Sequence, residues 1–281
     1  LSRGLGDVYK RQELAPPFGA DDKKLLEAAH MLKGLGVDVL TFPDSPSGRT
    51  RIDSVLMAQK VKNVTDFEVM PHICCRDKNA IAVRSTFLGA SINGINNFLI
   101  ITGDPIPVMA RQVVKSVFNF DSVGLMRIAD EMNSEALKDS PLTYGGAINQ
   151  SRRRIESEIK RVQKKMEAGA EFFLTQPVFT AEDAERLRRV KEETGARILC
   201  GIMPLVSRKN ALFMKNEISG VNVTDEVIER YPENADREDG ENVGVELAKE
   251  MIAATKDFAD GYYFSFPFNR TYLLKRIIEE V

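Results

Sequence analysis

Short apolar segments alternate with longer amphipathic segments along most of the chain. The short segments are rich in β-branched and aromatic residues, which favours buried strands, whereas the longer segments carry apolar residues at helical spacing. This alternation predicts repeated βα units around a parallel sheet. Seven strands are predicted at residues 37–41, 67–70, 98–102, 142–147, 171–175, 197–202 and 261–265, and a remnant of another at Glu13 and Leu14.

Helices are predicted between these strands, and Gly34, Gly169 and Gly195 follow three of them, as expected at helix C-termini. The segment before the last strand is longer and contains an acidic loop at 232–241. Eight strands with interleaved helices predict a (β/α)8 TIM barrel, in the α/β class, as a single domain over residues 13–281. The predicted helices cover residues 22–33, 51–62, 77–88, 121–132, 151–168, 181–193, 209–217, 225–230, 244–256 and 269–281.

The first twelve residues have no apolar period and no feature of a targeting signal. Their string DVYKRQ resembles the in-frame translation of an adapter used in sequencing libraries. We therefore predict that residues 1–12 are not native, that the first strand is truncated and that the native chain begins upstream of Glu13. A flexible native arm is the alternative.

Composition and charge indicate a folded globular protein and argue against nucleic-acid-binding, membrane-spanning and disulfide-rich classes. A chain of 281 residues with 43% hydrophobic and 28% charged residues is typical of a folded globular protein. The 39 basic and 41 acidic residues give a net charge of -2, which argues against a nucleic-acid partner. The apolar segments are too short for a membrane helix. Three cysteines, two of them adjacent, cannot form a disulfide framework, so we expect a cytoplasmic protein.

Polar motifs follow the predicted strands, where a TIM barrel places its chemistry. The chain has no Walker loop, no G-x-G-x-x-G and no nucleophile elbow, which excludes a Rossmann site and a serine hydrolase of that type. His72 lies beside Cys74 and Cys75, but no second cluster of histidine and cysteine completes a zinc site. We interpret His72 as a hydrogen-bonding residue at a strand end and predict no metal.

The predicted helix at 151–168 has two distinct faces. Its apolar stripe consists of Ile155, Ile159, Val162 and Met166. Its charged residues are Glu158, Arg161 and Lys165, with Lys164 beside them. Two interpretations stay open: a solvated charged face, or a cationic group that binds a diphosphate.

Taken together, the strand-end motifs resemble those of the methylenetetrahydrofolate reductase family, whose members are FAD-dependent TIM barrels. The resemblance extends from Glu13 to about Arg270 and rests on ELAPP, PHICC, ITGDPIP, GAEFFLTQPVF, GIMPLVS and FNR. The run PDSPSGR at 43–49 is similar to the branch in which the reductase is fused behind a homocysteine methyltransferase domain. A fused or associated domain of that kind is therefore an expected partner, and a homo-oligomer is left open.

The resemblance implies reduction of 5,10-methylenetetrahydrofolate to 5-methyltetrahydrofolate, with FAD as cofactor and NADH or NADPH as electron donor. Glu13 matches the family's acid, which protonates folate N5, and Asp104 matches an aspartate near the flavin and the pterin. Two alternatives remain. One is a barrel methyltransferase acting on homocysteine or a pterin, and the other is a non-catalytic flavin- or folate-binding subunit of a larger reductase complex.

The resemblance also implies ligand contacts. Asn210 and Met214 stand where the well-known bacterial reductases carry Gln and Phe, and a methionine stacks less well on a ring. Residues implied for FAD are His72, Thr102, Gly103, Asp104, Phe120, Asp121, Ser122, Glu158, Arg161, Lys164 and Lys165. Residues implied for folate and nicotinamide are Gln176, Asn210, Met214 and Arg270.

Overall fold

The computed structural model describes residues 9–218, 220–234 and 236–278, without the side chain of Asn269. Eight parallel strands in this part of the chain form a closed barrel in the order β1 to β8, which confirms the predicted TIM barrel. The strands are β1 (Tyr9–Glu13), β2 (Val39–Phe42), β3 (Glu68–Cys74), β4 (Asn97–Ile101), β5 (Thr143–Ile148), β6 (Phe172–Pro177), β7 (Ile198–Ile202) and β8 (Gly261–Phe264).

Helices surround the barrel close to the predicted positions. None of those in the described ranges combines the length and the apolar composition that crossing a membrane requires. They are α1 (Lys23–Leu32), α2 (Ser54–Thr65), α3 (Ala80–Ile92), α4 (Ser122–Ser134), α5 (Ile155–Glu167), α6 (Ala181–Thr194), α7 (Arg208–Glu217), α8 (Asp225–Glu229), α9 (Arg237–Thr255) and α10 (Leu273–Ile278).

Local sequence signals explain where the helices begin and end. The glycines expected at helix C-termini, Gly34, Gly169 and Gly195, all have positive φ, which confirms those predictions. Several helices begin behind a short polar side chain that accepts a backbone N–H of the first turn. These N-cap residues are Asp53, Asn79, Asp121, Thr180, Ser207, Thr224 and Asp236.

The strands separate two apolar clusters. The larger cluster lies between the strands and the helices, and the smaller one fills the barrel interior. Gly145 on β5 makes room for the interior cluster, because a Cβ there would clash with the ring of Phe172. The buried members of the interior cluster are Val39, Met70, Leu99, Phe172, Leu174 and Leu199.

Several element boundaries differ from the prediction by four residues or more. β3 continues beyond residue 70 to Cys74, because Pro71 is accommodated in the strand, where it pairs with Phe42. His72 and Cys74 therefore lie within the strand and not after it. α9 begins at Arg237, inside the predicted acidic loop, because Glu238 and Asp239 occupy its first turn, where negative charge stabilises a helix.

The first strand is longer than the predicted two-residue remnant. Tyr9–Glu13 pairs with both β2 and β8 and closes the barrel. Arg11 and Gln12 are buried in this strand, and Arg11 Nε and Gln12 Oε1 lack hydrogen-bond partners among the described residues. Buried strands of a parallel barrel are normally apolar, so this polar composition is unusual. The non-native origin of residues 1–12 stays a prediction.

We expect Arg11→Leu to stabilise the protein. The guanidinium lies 4.0 Å from the centre of the Phe172 ring and contacts the sulfur of Met70, and burial lowers its pKa. Leucine would match these apolar neighbours and remove the cost of burying a cation, so the free energy of unfolding should rise by about 1–2 kcal/mol in urea titrations. The control Arg127→Leu, on the exposed side of α4, should change it by less than about 0.5 kcal/mol. A lower unfolding midpoint for Arg11→Leu would show instead that the buried guanidinium stabilises the barrel.

Candidate active site at the carboxyl end of the barrel

The inward-facing positions change from apolar to polar toward the carboxyl ends of the strands. Side chains alternate between the two faces of a strand, so a residue two positions after an interior residue faces the interior too. Five polar residues follow this rule at the barrel mouth. They are Glu13 on β1, Thr41 on β2, His72 on β3, Gln176 on β6 and Ser265 directly after β8.

Glu13 is held from two sides by hydroxyl groups of the last strand segment. Tyr263 donates its phenolic hydrogen to Oε2, and Ser265 Oγ donates to Oε1 over 3.1 Å. Burial raises the pKa of Glu13, while the two hydroxyl groups and the charge of Arg51 act in the opposite direction. The carboxyl group therefore keeps a proton to higher pH than an exposed glutamate does.

His72 is buried and offers an unused polar atom. Its Nε2 has no hydrogen-bond partner among the described residues, although its backbone carbonyl accepts a bond from Ser54 Oγ over 2.8 Å. Burial, with a contribution from the charge of Arg11, lowers the pKa of His72 to about 3. The ring is therefore neutral at physiological pH, and a ligand at the mouth could satisfy Nε2.

The turn after β4 is fixed by the loops after β2 and β3. Thr102 is half-buried, and Gly103 adopts a φ of +92°, which favours glycine. Asp104 is exposed, and its Oδ2 accepts the backbone N–H of Ser47 over 2.6 Å. Arg76 donates to the Asp104 carbonyl over 3.2 Å. This network holds the Asp104 carboxylate at the rim of the barrel.

A cluster of potential metal ligands lies beside this turn. Within the described ranges it comprises Asp44, Cys74 and Asp77, whose ligand atoms lie within 4.8 Å of one another. Lys78 neutralises Asp44 at 3.0 Å, and Arg76 neutralises Asp77 at 2.6 Å. Burial is the main cause that raises the pKa of Cys74 to about 12, so the thiol stays protonated. This donor set favours an ion-pair network over a zinc site.

Phe120, Asp121 and Ser122 form the start of α4. Asp121 accepts the backbone N–H of Gly124 over 2.9 Å, and Ser122 is buried. Phe120 packs against Gly124, where a Cβ would lie 2.9 Å from the Cβ of Phe120. These three residues therefore set the position of the helix N-terminus.

The charged residues of α5 are not equivalent. Glu158 is 2% exposed and accepts the backbone N–H of Asn149 over 2.9 Å, and it pairs with Arg152 at 2.8 Å and with Arg161 at 3.8 Å. Lys164 is exposed and the side chain of Arg161 is 41% exposed, so a solvated face agrees with these two residues but not with Glu158.

Lys165 is buried on the outer side of β5. Its Nζ donates to the carbonyl of Ala147, and its stem packs against Gly146. Burial is the main cause that lowers the pKa of Lys165 to about 8, whereas the charges of Glu158 and Asp121 favour the ammonium form. The start of α4 and the buried charges of α5 therefore belong to one electrostatic neighbourhood.

The four residues expected at the substrate are held in different ways. Gln176 is half-buried at the mouth, and Met214 belongs to the outer apolar cluster with 8% exposure. Asn210 is buried and its Oδ1 accepts the backbone N–H of Val206 over 3.2 Å. Arg270 follows β8 and pairs with Glu241 at 2.9 Å. Gln176 and Arg270 thus keep accessible polar surface, whereas Asn210 and Met214 are buried.

A family model decides the relationship of this chain to known proteins. The model described as "Methylenetetrahydrofolate reductase" matches residues 7–280. The chain belongs to the methylenetetrahydrofolate reductase family. The family resemblance of the strand-end motifs is thereby confirmed, while fusion to a methyltransferase domain stays a prediction.

Two bacterial relatives bear the name 5,10-methylenetetrahydrofolate reductase. The protein from Buchnera aphidicola subsp. Schizaphis graminum is 24% identical over 197 residues, which are 69% of this chain and 64% of that protein. The protein from Salmonella typhimurium is 24% identical over 217 residues, or 75% of this chain and 69% of that protein. The match to the Buchnera protein thus spans less than two thirds of its length.

Solved structures share the fold of this chain over nearly its whole length. A protein from Clostridium thermocellum that binds two copies of 5-methyl-5,6,7,8-tetrahydrofolic acid aligns over 98% of this chain and 96% of its own, with a TM-score of 0.70 and 16% identity. A 2,3-dimethylmalate lyase aligns over 98% and 81%, with a TM-score of 0.54 and 14% identity. At these identities the similarity establishes the fold alone.

Sequence reasoning missed the groups that hold Glu13. Tyr263 and Ser265 are two positions apart on a predicted strand, so their shared face was visible in the sequence. Their contact with Glu13 was not, because it depends on the pairing of β1 with β8. Arg51, which acts on Glu13, lies in a segment predicted as helix. Thr41 stood out in the sequence only as the end of a predicted strand.

We expect the imidazole of His72 to stay neutral down to about pH 4. Its folded pKa of about 3 lies below the usual value near 6.5, so the unfolded state binds more protons between these values. His72 therefore costs stability as the pH falls through this window, by about 1.4 kcal/mol per pH unit at most. Histidine NMR signals followed from pH 8 to pH 4 measure this, and His30→Gln assigns them. A His72 signal that titrates near pH 6.5 would contradict the buried site.

Proposed function

We propose that this protein reduces 5,10-methylenetetrahydrofolate to 5-methyltetrahydrofolate, with FAD as cofactor and NADH or NADPH as electron donor. The observation that carries the proposal is Glu13, a buried carboxyl group at the barrel mouth whose pKa is raised and whose two oxygens are fixed. Membership of the family and the fold shared with a folate-binding protein support it.

Glu13 has the properties that this reaction asks of an acid. The closed imidazolidine ring of the substrate cannot accept a hydride. The proton has to go to N10 and not to N5, because the methylene carbon stays on N5 in the product. Protonation at N10 breaks the bond between N10 and the methylene carbon and leaves an iminium at N5, which accepts the hydride. Glu13 would supply that proton, since a raised pKa keeps the carboxyl group protonated nearer to neutral pH. The exposed carboxylate of Asp104 at the rim would stabilise the positive charge of the iminium.

The residues around the mouth fit a flavin nucleotide. His72 Nε2 is a buried polar atom without a hydrogen-bond partner among the described residues. A hydrogen bond to a ligand would remove the free-energy cost of leaving this atom unpaired. Arg152, Arg161 and Lys165 surround Glu158 and leave an excess of positive charge that suits a diphosphate. Bound FAD would supply the hydride that the folate accepts. The residues proposed to hold it are His72, Thr102, Gly103, Asp104, Phe120, Asp121, Ser122, Glu158, Arg161, Lys164 and Lys165.

Folate and nicotinamide are proposed to occupy the open side of the mouth in turn. Gln176 would contact either ring from β6, and Met214 would supply apolar contact from α7. Asn210 would hold the turn before α7 in place through Val206. Arg270, fixed by its pairing with Glu241, would present its remaining N–H groups to folate.

We expect Glu13→Gln to separate the two half-reactions. Glutamine keeps the shape of the side chain but cannot donate the proton to N10. Reduction of the flavin by NADH needs no acid and should stay near the wild-type rate, whereas flavin reoxidation by methylenetetrahydrofolate should slow by about 10²–10⁴. Anaerobic stopped-flow absorbance measures both steps.

The control is Glu68→Gln, a glutamate at the opposite end of the barrel that is 60% exposed and should leave both steps unchanged. Wild-type reoxidation in Glu13→Gln would refute the role of Glu13. Bound flavin in the wild-type protein that NADH cannot bleach would instead indicate a non-catalytic subunit. Absence of flavin after purification and reconstitution would refute the proposed cofactor.

We expect Lys165→Met to weaken FAD binding by tenfold or more. The methionine keeps the packing of the stem against Gly146 but removes a charge whose contact with a diphosphate is worth about 1.5–3 kcal/mol. Lys160→Met is the matched control, because Lys160 is exposed on the same helix and is not among the residues proposed to hold FAD. Fluorescence titration of the apoprotein with FAD measures the affinities. Equal affinities in the two variants would indicate that Lys165 serves the fold alone.

A further inference from the structure

The hydroxyl of Tyr263 reaches Glu13 from inside the barrel. Tyr263 packs against the interior apolar cluster, so its ring lies inside the barrel. Because Gln12 pairs with Phe264, the end of β1 lies beside the end of β8, and the phenolic oxygen meets Glu13 Oε2. Ser265, on the same face, occupies the other carboxyl oxygen at 3.1 Å.

Tyr263 can donate its hydrogen bond over a wide pH range. Burial and the neighbouring charge of Glu13 raise the pKa of Tyr263 well above its usual value, so the phenol keeps its proton. A phenol that stays protonated stabilises a carboxylate more than a carboxylic acid, because the hydrogen bond to the charged form is stronger. Its effect on Glu13 is therefore opposite to the effect of burial.

The other groups that act on Glu13 cannot replace this hydroxyl. Arg51, from the segment between β2 and α2, acts through its charge, while its Nη1 donates to the Pro16 carbonyl over 2.7 Å. Ser265 bonds only to Oε1. Arg11 acts on the neutral His72 and lies deeper in the barrel.

We propose that Tyr263 is a positioning residue for Glu13: its hydroxyl fixes the carboxyl group at the barrel mouth and stabilises the carboxylate left after the proton has moved to the substrate. This inference rests on the proposed function. The proton moves from Glu13 to folate N10 as the bond between N10 and the methylene carbon breaks, the carboxylate keeps its hydrogen bonds to Tyr263 and Ser265, and a proton from solvent restores the acid. No electron moves in this step.

Tyr263→Phe tests the proposal, since it removes the hydroxyl and keeps the ring inside the barrel. Flavin reduction by NADH should stay within twofold of the wild-type rate. Flavin reoxidation by methylenetetrahydrofolate should slow by about tenfold at its plateau, because one donor to the carboxylate is lost. The pH at which reoxidation declines on the alkaline side should rise by about one unit, because the acid form of Glu13 is favoured.

Tyr262→Phe is the matched control. Tyr262 precedes Tyr263 on β8 but faces the helices, where its hydroxyl donates to the Ile252 carbonyl over 3.1 Å. Its loss removes a buried hydrogen bond of similar kind without touching Glu13. The alkaline limit of reoxidation should therefore stay where it is in the wild-type protein.

A readout without substrate separates this proposal from the proposed function. The infrared carbonyl band of protonated Glu13, assigned by its absence in Glu13→Gln, should titrate at higher pH in Tyr263→Phe than in the wild-type protein or Tyr262→Phe. An unshifted band would overturn the proposal. If the band shifts but the protein does not reduce the folate, the proposed function is refuted. Tyr263 would then still act on Glu13 but would have no role in catalysis.

Discussion

The pairing of β1 with β8 is the interaction on which the barrel and the candidate site depend. It closes the parallel sheet, so that neither strand keeps a row of unpaired backbone groups. It also sets the register that brings Glu13 to Tyr263 and Ser265, 250 and 252 positions away. In an open sheet the carboxyl group would lie at a solvated edge, where burial could not raise its pKa.

Two buried polar atoms that lack hydrogen-bond partners among the described residues lie at different depths in the barrel and have different surroundings. Arg11 Nε lies beside Phe172 and Met70 in the apolar interior, so its burial lowers the free energy of unfolding. His72 lies two positions after Met70 on β3, toward the mouth, and its Nε2 is proposed to bind the flavin. An unpaired buried polar atom is therefore a cost of the first strand's composition in one case and a proposed ligand contact in the other.

Two charged side chains of α5 connect the helix to the carboxyl end of β5 at the barrel mouth. Glu158 ties the helix to the backbone of Asn149, and Lys165 ties it to the end of β5 at Ala147. Both are buried, so their charges act through a less polar medium than water and are worth more there. The fold already holds these side chains in place, so less side-chain entropy would be lost if a diphosphate bound nearby.

The sequence by itself determined the alternation of strands and helices, the barrel and the ring of polar motifs, because periods of 2 and 3.6 residues and helix caps are local properties. It also carried the family resemblance. Tertiary structure decided what depends on distant contacts: β1 begins at Tyr9, Pro71 lies inside β3, and Lys165 is buried while Lys164 is exposed. The contact of Tyr263 with Glu13 belongs to this second group, since barrel closure, and no local pattern, creates it.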